Sequence, residues 1–594
     1  MASVFGTNGT DLNLTGTADA DDIFGWAQGG NETTDMGNDT LFGLAGNDHL
    51  FGGGGSDVLN GGAGADILEG GDADDVASYA GAAAGVFASL LTPTENTGDA
   101  SGDAYVSVNG LRGTDFADTL TGDDNNNAIE GGGGGDIIYG LGGKDFLYSN
   151  LREGGFGTGD ILVGGGGADV IYLSAGATVS YHTSPSGVRV ALDLRSGSGR
   201  GGDAEGDLFG GFNGGRLHMI GSNFDDVLFG QNARTFIDRT VVDQLYGLDG
   251  NDELYGGDKY NHLDGGNGDD RMWGGIGNDL FIGGAGADLF TGGEGTDHAA
   301  FQQSAIGVTV NLTTGTGSGG DAQGDLYGSI EDITGSDFAD QITGDNAANS
   351  LFGRLGNDLL WGMDGDDLLV GGAGADVLTG GTGNDTASYH SSDDGVRIDL
   401  LQKIGSWSDA EGDLFGSIEN LNGSQFNDEL YGDDAANKIT ANGGDDTIHG
   451  NGGNDEVDGG AGNDYLMGND GDDLVFGRGG TDNMVGGGGA DRFVFTELSD
   501  SLVSAPDGVS FFESAQGDKI DLSHMDANTN AAGNQAFAFI GSASFTGVAG
   551  QLRVVTNNHA TTVDGDVNGD GVSDFRVMVY SWVPTQVTES DFIL

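Results

Sequence analysis

The stretch Gly459-Gly460-Ala461-Gly462-Asn463-Asp464-Tyr465-Leu466-Met467 carries the plan of the whole chain. A glycine-rich turn leads to an aspartate, an apolar residue follows two positions later, and the pattern restarts. Around it the beat falls at Asp428, Asn437, Asp446, Asp455, Asp464, Asp473, Asp482 and Asp491. Leu430, Ile439, Ile448, Val457, Leu466, Val475, Met484 and Phe493 each stand two residues after it. Nine residues divide into a six-residue turn and a three-residue strand. Glycine at the turn positions permits positive φ and lets backbone carbonyls point inward. The pattern predicts an all-β chain, a parallel β-roll or β-solenoid in which two repeats make one coil and the apolar residues stack as a thin core.

Four earlier blocks keep the same beat. The first holds Asp39, Asp48, Asp57, Asp66 and Asp75; the second Asp118, Asn127, Asp136 and Asp145, then, after a short insertion, Asp160 and Asp169. The third starts at Asp226, is interrupted, and resumes as Asp243, Asp252, Asn261, Asp270, Asp279, Asp288 and Asp297. The fourth holds Asp340, Asn349, Asp358, Asp367, Asp376 and Asp385. Asn127, Asn349 and Asn437 each take the second beat of their block, so the substitution is patterned and lowers the charge where a block begins. Between blocks lies a second repeated unit, from Tyr181, Phe301 and Tyr389, with a looser copy from Tyr79. Each reaches an alternating Gly-Val segment, then an acidic turn such as Asp203-Ala204-Glu205-Gly206-Asp207, and in two copies a short strand over 330–333 or 418–421. These units read as longer coils of the same solenoid.

The organisation expected is therefore a cap and degenerate first coil over 1–35; blocks over 36–78, 113–176, 221–299, 335–387 and 423–492; connecting coils over 79–112, 177–220, 300–334 and 388–422; and a C-terminal antiparallel β cap over 493–594. The cap is expected from Phe493-Val494-Phe495, Phe537-Ala538-Phe539-Ile540, Leu552-Arg553-Val554-Val555 and Phe575-Arg576-Val577-Met578-Val579, because a solenoid needs its open end covered.

The charge balance points to metal. With 94 acidic and 20 basic residues the formal net charge is -74, and no Lys or Arg precedes Arg112. Such a chain repels nucleic acid and anionic membranes. One carboxylate per nine residues is not the scatter of a solubilising acidic surface. Calcium is a hard cation that takes six to eight oxygens at about 2.3–2.6 Å, and two Asp carboxylates with turn carbonyls supply that set. No helix is involved, so the site is no EF-hand. All the Asp and Asn beats are candidate ligands; the sequence leaves open which block edges and Asn beats are filled. The segment Asp566-Val567-Asn568-Gly569-Asp570-Gly571-Val572-Ser573-Asp574 begins like an EF-hand loop, but Val577 stands where that loop needs Glu. It is read as a strand-flanked calcium loop with Asp566, Asn568, Asp570 and Asp574 as ligands.

The nonapeptide resembles that of RTX, or haemolysin-type calcium-binding, proteins over nearly the whole chain. That resemblance implies calcium bridging between repeats n and n+2, hence Asp pairs 18 apart. Such pairs give roughly twenty sites, which would cancel about half the charge and leave a metal-free chain unfolded. Gly489-Ala490-Asp491-Arg492-Phe493-Val494-Phe495, Gly517-Asp518-Lys519-Ile520-Asp521-Leu522-Ser523, Gly565-Asp566-Val567-Asn568-Gly569-Asp570-Gly571 and Asp591-Phe592-Ile593-Leu594 resemble the C-terminal domain of secreted serralysin-type metalloproteases. In that family the extreme C-terminus is read by a type I secretion apparatus, which implies a secreted protein of a Gram-negative bacterium.

The catalytic half of a serralysin has no counterpart. H-E-x-x-H and G-x-S-x-G are absent, there is no cysteine, and the nine histidines form no zinc spacing. His49, His262 and His298 follow a beat directly and His449 stands three residues after Asp446; all four are expected to face solvent. Met1-Ala2-Ser3-Val4-Phe5-Gly6 shows no Sec-type signal features, and no apolar run approaches the roughly 20 residues of a membrane span. The expected function is non-enzymatic: a secreted, calcium-folded structural protein at the bacterial surface, as a surface-layer, filament, matrix or adhesion component, with self-assembly or a cell-surface polysaccharide as its partner. The alternatives are a secreted enzyme or toxin acting on extracellular polysaccharide, or a soluble calcium- or carbohydrate-binding protein.

Overall fold

A computed structural model describes the chain except residues 1–2, 32–35, 151–158, 175, 193–196, 211–217, 231–242, 558–559 and 581–586. The short insertion of the second block, the interruption of the third and part of the first coil lie outside the described residues. The chain forms two compact units: Met1–Ala300 with Ala322–Ile330, and Phe301–Asp321 with Glu331–Leu594.

In the first unit each nonapeptide lays down one strand, and successive strands alternate between two parallel sheets. Asp243–Asp249, Asn261–Asn267 and Leu280–Ala285 pair in one sheet, and Glu253–Gly257, Arg271–Ile276 and Leu289–Glu294 in the other. Strands nine residues apart thus face each other, while strands eighteen apart are hydrogen-bonded. The register puts Leu245 beside Leu263 beside Phe281, and Leu254 beside Met272 beside Phe290. All six are fully buried. Near the N-terminus Ser3–Phe5, Asp22–Phe24, His49–Gly54, Ile67–Asp72 and Ala104–Val106 form a further parallel sheet.

The second unit repeats the plan. Ser350–Leu355 pairs with Leu368–Ala373, and Leu359–Asp364 with Val377–Thr382; later Thr447–Gly452, Tyr465–Asp470 and Asn483–Gly488 alternate with Glu456–Gly462 and Leu474–Gly480. Three of the connecting segments carry a β-hairpin. Thr309–Asn311 pairs antiparallel with Thr316–Ser318 and parallel with Gln341–Thr343, and Arg397–Asp399 does the same with Ile404–Ser406 and Glu429–Tyr431. In the first unit Arg189–Ala191 pairs in this way with Gly197–Arg200 and Val227–Phe229. The acidic turns close as single 3-10 turns, Gly202–Ala204, Gly320–Ala322 and Ser408–Ala410. The strands read at 330–333 and 418–421 form slightly later, at Asp332–Thr334 and Asn420–Asn422, where they meet the register of the next block.

The C-terminal region is only partly antiparallel. Gln551–Asn557, Ala560–Asp566 and Phe575–Tyr580 make an antiparallel meander. Arg492–Val494, however, pairs parallel with Leu474–Gly480 and with Lys519–Asp521, and Phe575–Tyr580 pairs parallel with Asp507–Ser510 on its other side. Ala538–Phe539 pairs parallel with Gln551–Asn557, and Phe592–Ile593 with Lys519–Asp521. The roll therefore runs past Phe493, which still occupies the buried position two residues after a beat.

Leucines such as Leu466 fill the thin core between the two facing sheets. Leu466→Ala is expected to cost about 2–5 kcal/mol, seen as a higher calcium midpoint for folding in a circular dichroism titration.

Candidate metal centre

The beat residues are the buried polar groups of the roll. From Asp39 to Asp491 every beat Asp or Asn of the five blocks is almost wholly buried. One oxygen has a fixed partner within the chain. The N–H of Asp48 donates to Oδ1 of Asp66 at 2.7 Å, that of Asp358 to Asp376 at 2.8 Å and that of Asp446 to Asp464 at 2.9 Å. The ladder also crosses longer coils: Asp136 donates to Asp160 at 2.9 Å and Asp226 to Asp252 at 2.7 Å. Residues two repeats apart are thus brought together at one edge.

The second oxygen is different. Among the described residues, Oδ2 of Asp48, Asp66, Asp75, Asp136, Asp145, Asp169, Asp252, Asp270, Asp279, Asp358, Asp367, Asp376 and Asp385 is buried without a hydrogen-bond donor, and so is that of Asp446, Asp455, Asp464, Asp473, Asp482 and Asp491. A Cβ built on Gly353 would collide with Asp358 Oδ2 and also with the carbonyl oxygen of Gly371, 2.6 Å away. Carboxylate and carbonyl oxygens therefore converge on a space left open by glycine. An unpaired buried anion is costly, so this arrangement calls for a cation or a proton. Among the described residues no three His, Cys, Asp or Glu side chains gather as a metal group. The donors that converge are paired carboxylates and main-chain carbonyls, all oxygen, which suits a hard cation such as calcium.

The turn that makes this space is left-handed four residues before the beat. Glycine holds many of these positions, but Leu44, Leu141, Leu248, Arg354, Met363, Asn442, Asn451, Asn469 and Arg478 hold it too, with φ between 69° and 90°. Positive φ is costly for residues with a Cβ, so the turn is imposed by the roll and not by residue type alone.

Other beats sit differently. Asp118, Asp226, Asp340 and Asp428 accept from the chain on both oxygens; in Asp340 the Ser336 N–H reaches Oδ2 at 2.6 Å and the Ser336 hydroxyl and Val308 N–H reach Oδ1 at 2.8 and 2.6 Å. Asn127, Asn349 and Asn437 accept the N–H of the residue four before, at 2.8 Å each, and donate through Nδ2 to a carbonyl eighteen residues back. Asn261 donates through Nδ2 to Asp279 Oδ1 at 2.8 Å. In the 566–574 loop, Asp566 accepts from Gly569 and Gly571, Asp570 from Val572 and Asp574 from Val567 and Asn568, so the loop's own donors engage its carboxylates.

Several members of the ladder escape a reading by nonapeptide. Asp103, Asp207, Asp325 and Asp413 of the acidic turns accept the N–H of Asp66, Asp169, Asp288 and Asp376 as a repeat aspartate would. Asp507 and Asp518 do the same for Asp482 and Asp491. The signal they keep is Asp followed two residues later by an apolar or aromatic side chain, as in Asp507-Gly508-Val509; the glycine turn is missing. A second ladder runs one residue before the beat. Asn463 Oδ1 accepts the Thr481 N–H at 3.1 Å, and Asp472 Oδ1 the Ala490 N–H at 2.7 Å. These four histidines, His49, His262, His298 and His449, are half-buried, not open to solvent: His49 lies 3.6 Å from the Phe51 ring and His449 stacks on Tyr431 at 4.9 Å. Burial lowers the pKa of His262 and His449.

The RTX calcium-binding nonapeptide repeat family, in its four-copy form, matches residues 33–68, 51–78, 112–147, 154–177, 246–281, 264–299, 328–360, 352–387 and 361–394. This chain carries RTX calcium-binding repeats. The peptidase M10 serralysin C-terminal family matches residues 439–594. An RTX chain with this C-terminal domain is a secreted, calcium-binding protein of the type I route. The chain is similar to a solved structure of the AlgE6R3 subunit from the Azotobacter vinelandii mannuronan C5-epimerase, at 22% identity over 28% of this chain and 78% of that one, with a TM-score of 0.19. No curated protein matches it.

Burial, reinforced by neighbouring carboxylates, pushes the RTX aspartates up: Asp376 to about 6, Asp358 to about 7, Asp446 and Asp252 to about 8. A carboxyl raised in the folded state stabilises the fold while protonated, and that contribution disappears as pH rises through the folded value. In chelator, β-structure is therefore expected to increase as pH falls from about 8 to about 5, followed by circular dichroism. A signal independent of pH, or strongest at the alkaline end, would contradict the buried-carboxylate account.

Proposed function

We propose that this is a non-enzymatic structural protein, exported unfolded, that folds on extracellular calcium and assembles at the bacterial surface as a layer, filament, matrix or adhesion component. Inside the cell calcium is scarce and the carboxylates keep the chain open; outside, millimolar calcium fills the roll. The first calcium-laden coils would then form after export.

The observation that carries the assembly reading is a phenylalanine displayed at the start of each of four blocks. Phe116, Phe224, Phe338 and Phe426 stand two residues before Asp118, Asp226, Asp340 and Asp428, and are 48%, 46%, 47% and 43% exposed. Each is held by a turn in which its N–H donates to the hydroxyl of Thr114, Ser222, Ser336 or Ser424, and that hydroxyl also meets its carbonyl. Exposed apolar side chains scattered singly need no explanation. The same one recurring in the same rigid turn supports a periodic contact with other copies or with a surface polymer.

A second reading, a carbohydrate binder, has one specific support. Phe229, Tyr255 and Trp273 stack with ring centroids 4.6 and 4.4 Å apart, and the Arg189 guanidinium lies 4.6 Å over Phe229. Half-exposed flat rings in a row suit the faces of a sugar chain.

Electron microscopy of producing cells and of purified protein separates the two. Ordered sheets or filaments that disappear on chelation are expected, and replacing all four phenylalanines by serine should abolish them while calcium-driven folding persists. Single particles that never assemble would overturn the first reading. Removing Asp591–Leu594 is expected to keep the protein inside the cell, measured by immunoblotting of culture medium; normal export of the truncated chain would remove the secretion signal from that end.

A further inference from the structure

The beats fall into two backbone classes, and the class follows the residue four positions earlier. Where that residue has positive φ, as at Arg354, Gly372 or Asn442, its N–H turns away and Oδ2 of Asp358, Asp376 or Asp446 is left without a donor among the described residues. Ser336, Ser424 and Asp345 do not have positive φ, and their N–H groups donate to Asp340, Asp428 and Asn349 at 2.6, 2.7 and 2.8 Å. In Asn349 the amide goes further, its Nδ2 donating to the carbonyl of Glu331 at 2.8 Å. Protein donors thus stand where a cation would otherwise be needed.

The far side of each of the first four blocks is closed by another device. Oδ2 of the acidic-turn aspartate accepts a buried tyrosine hydroxyl: Tyr79 to Asp103 at 3.0 Å, Tyr181 to Asp207 at 2.8 Å and Tyr389 to Asp413 at 2.5 Å. The third such coil has Phe301 where the others have tyrosine, so that position offers no hydroxyl. There Tyr327, at the place held by Phe209 and Phe415 in its sister coils, donates to Asp325 at 3.1 Å. The hydroxyl changes its place in the sequence but keeps its target, which marks the closure as a requirement of the coil and not an accident of one residue.

We infer that the residue four before each beat decides whether that beat takes calcium, so that the ion arrays are interrupted at fixed places by coils the chain closes with its own donors. Asp118, Asp226, Asp340 and Asp428, the second-beat asparagines Asn127, Asn349 and Asn437, and the tyrosine-capped aspartates of the connecting coils are metal-free. A carboxylate that accepts three short hydrogen bonds has its charge met and few lone pairs left, and an amide is neutral; neither offers the anionic, unsatisfied oxygen that calcium seeks. The closed coils carry the exposed phenylalanines, so these side chains are fixed by hydrogen bonds alone.

This inference rests on the reading of the open beats as calcium sites, and one experiment separates the two. Calcium bound per full-length chain is counted by native mass spectrometry at saturating calcium for the parent, Asp376→Asn, Asp340→Asn, and a variant combining Asp345→Gly, Ala347→Gly and Asn349→Asp, which writes the open turn into a closed beat. Asp376→Asn is expected to lose about one ion, Asp340→Asn none, and the combined variant to gain about one. If Asp340→Asn loses as many ions as Asp376→Asn, or the combined variant gains none, the inference is overturned while the calcium reading stands. If Asp376→Asn and a second open-beat variant, Asp464→Asn, both keep the parent's count, the open beats are not calcium sites and both fall. Asp464→Asn also serves should Asp376→Asn fail to fold.

Discussion

A buried carboxylate oxygen with no donor is the constraint on which the roll depends. It recurs with the repeat, beside glycine-turn carbonyls that point the same way, and the apolar core behind it is only the two facing rows of side chains between the sheets. Such a core stabilises little on its own, while the aligned anions oppose the fold. In the proposed reading the balance is set from outside, by a cation that meets carboxylate and carbonyl oxygens together. Sequence period, thin core and metal dependence are therefore three faces of one arrangement: the nine-residue period places the apolar residue inside and the aspartate at the edge, and the edge cannot be satisfied by the chain alone.

The chain also contains the opposite solution. At the start of blocks and in the connecting coils, serine, threonine, tyrosine and asparagine side chains and backbone N–H groups engage the beat residue fully. These coils keep the register of the sheets, as the pairing of Arg397–Asp399 with Glu429–Tyr431 shows, and they project a hairpin or a rigid turn outward. Coils with open and closed beats thus share one hydrogen-bonding frame and differ in the direction of one N–H.

The period made the parallel roll, its buried apolar positions and most of its ladder aspartates legible, because strand alternation and turn length repeat without drift. Less legible was what a single position does. Leu44, Met363 and Arg478 take a left-handed turn that their side chains do not announce; the neighbouring coils impose it. Asp103, Asp207, Asp325, Asp413, Asp507 and Asp518 join the ladder without a glycine turn before them, so a search for glycine passes over them. The Phe493-Val494-Phe495 segment reads as a new antiparallel element once glycine stops, yet its partners are set by register with Leu474–Gly480, which local sequence does not encode. Which beats are closed was partly visible in the Ser or Thr four residues before the first aspartate of a block, but only geometry shows what that residue donates to.

We propose that the open carboxylates make folding conditional on calcium. Far-ultraviolet circular dichroism of the full chain in chelator at about pH 8, titrated with calcium to the millimolar range, tests it most directly. A disordered spectrum in chelator that converts cooperatively to β-structure as calcium is added is the result the account requires. A spectrum already fully β in chelator, and unchanged by calcium, would contradict it.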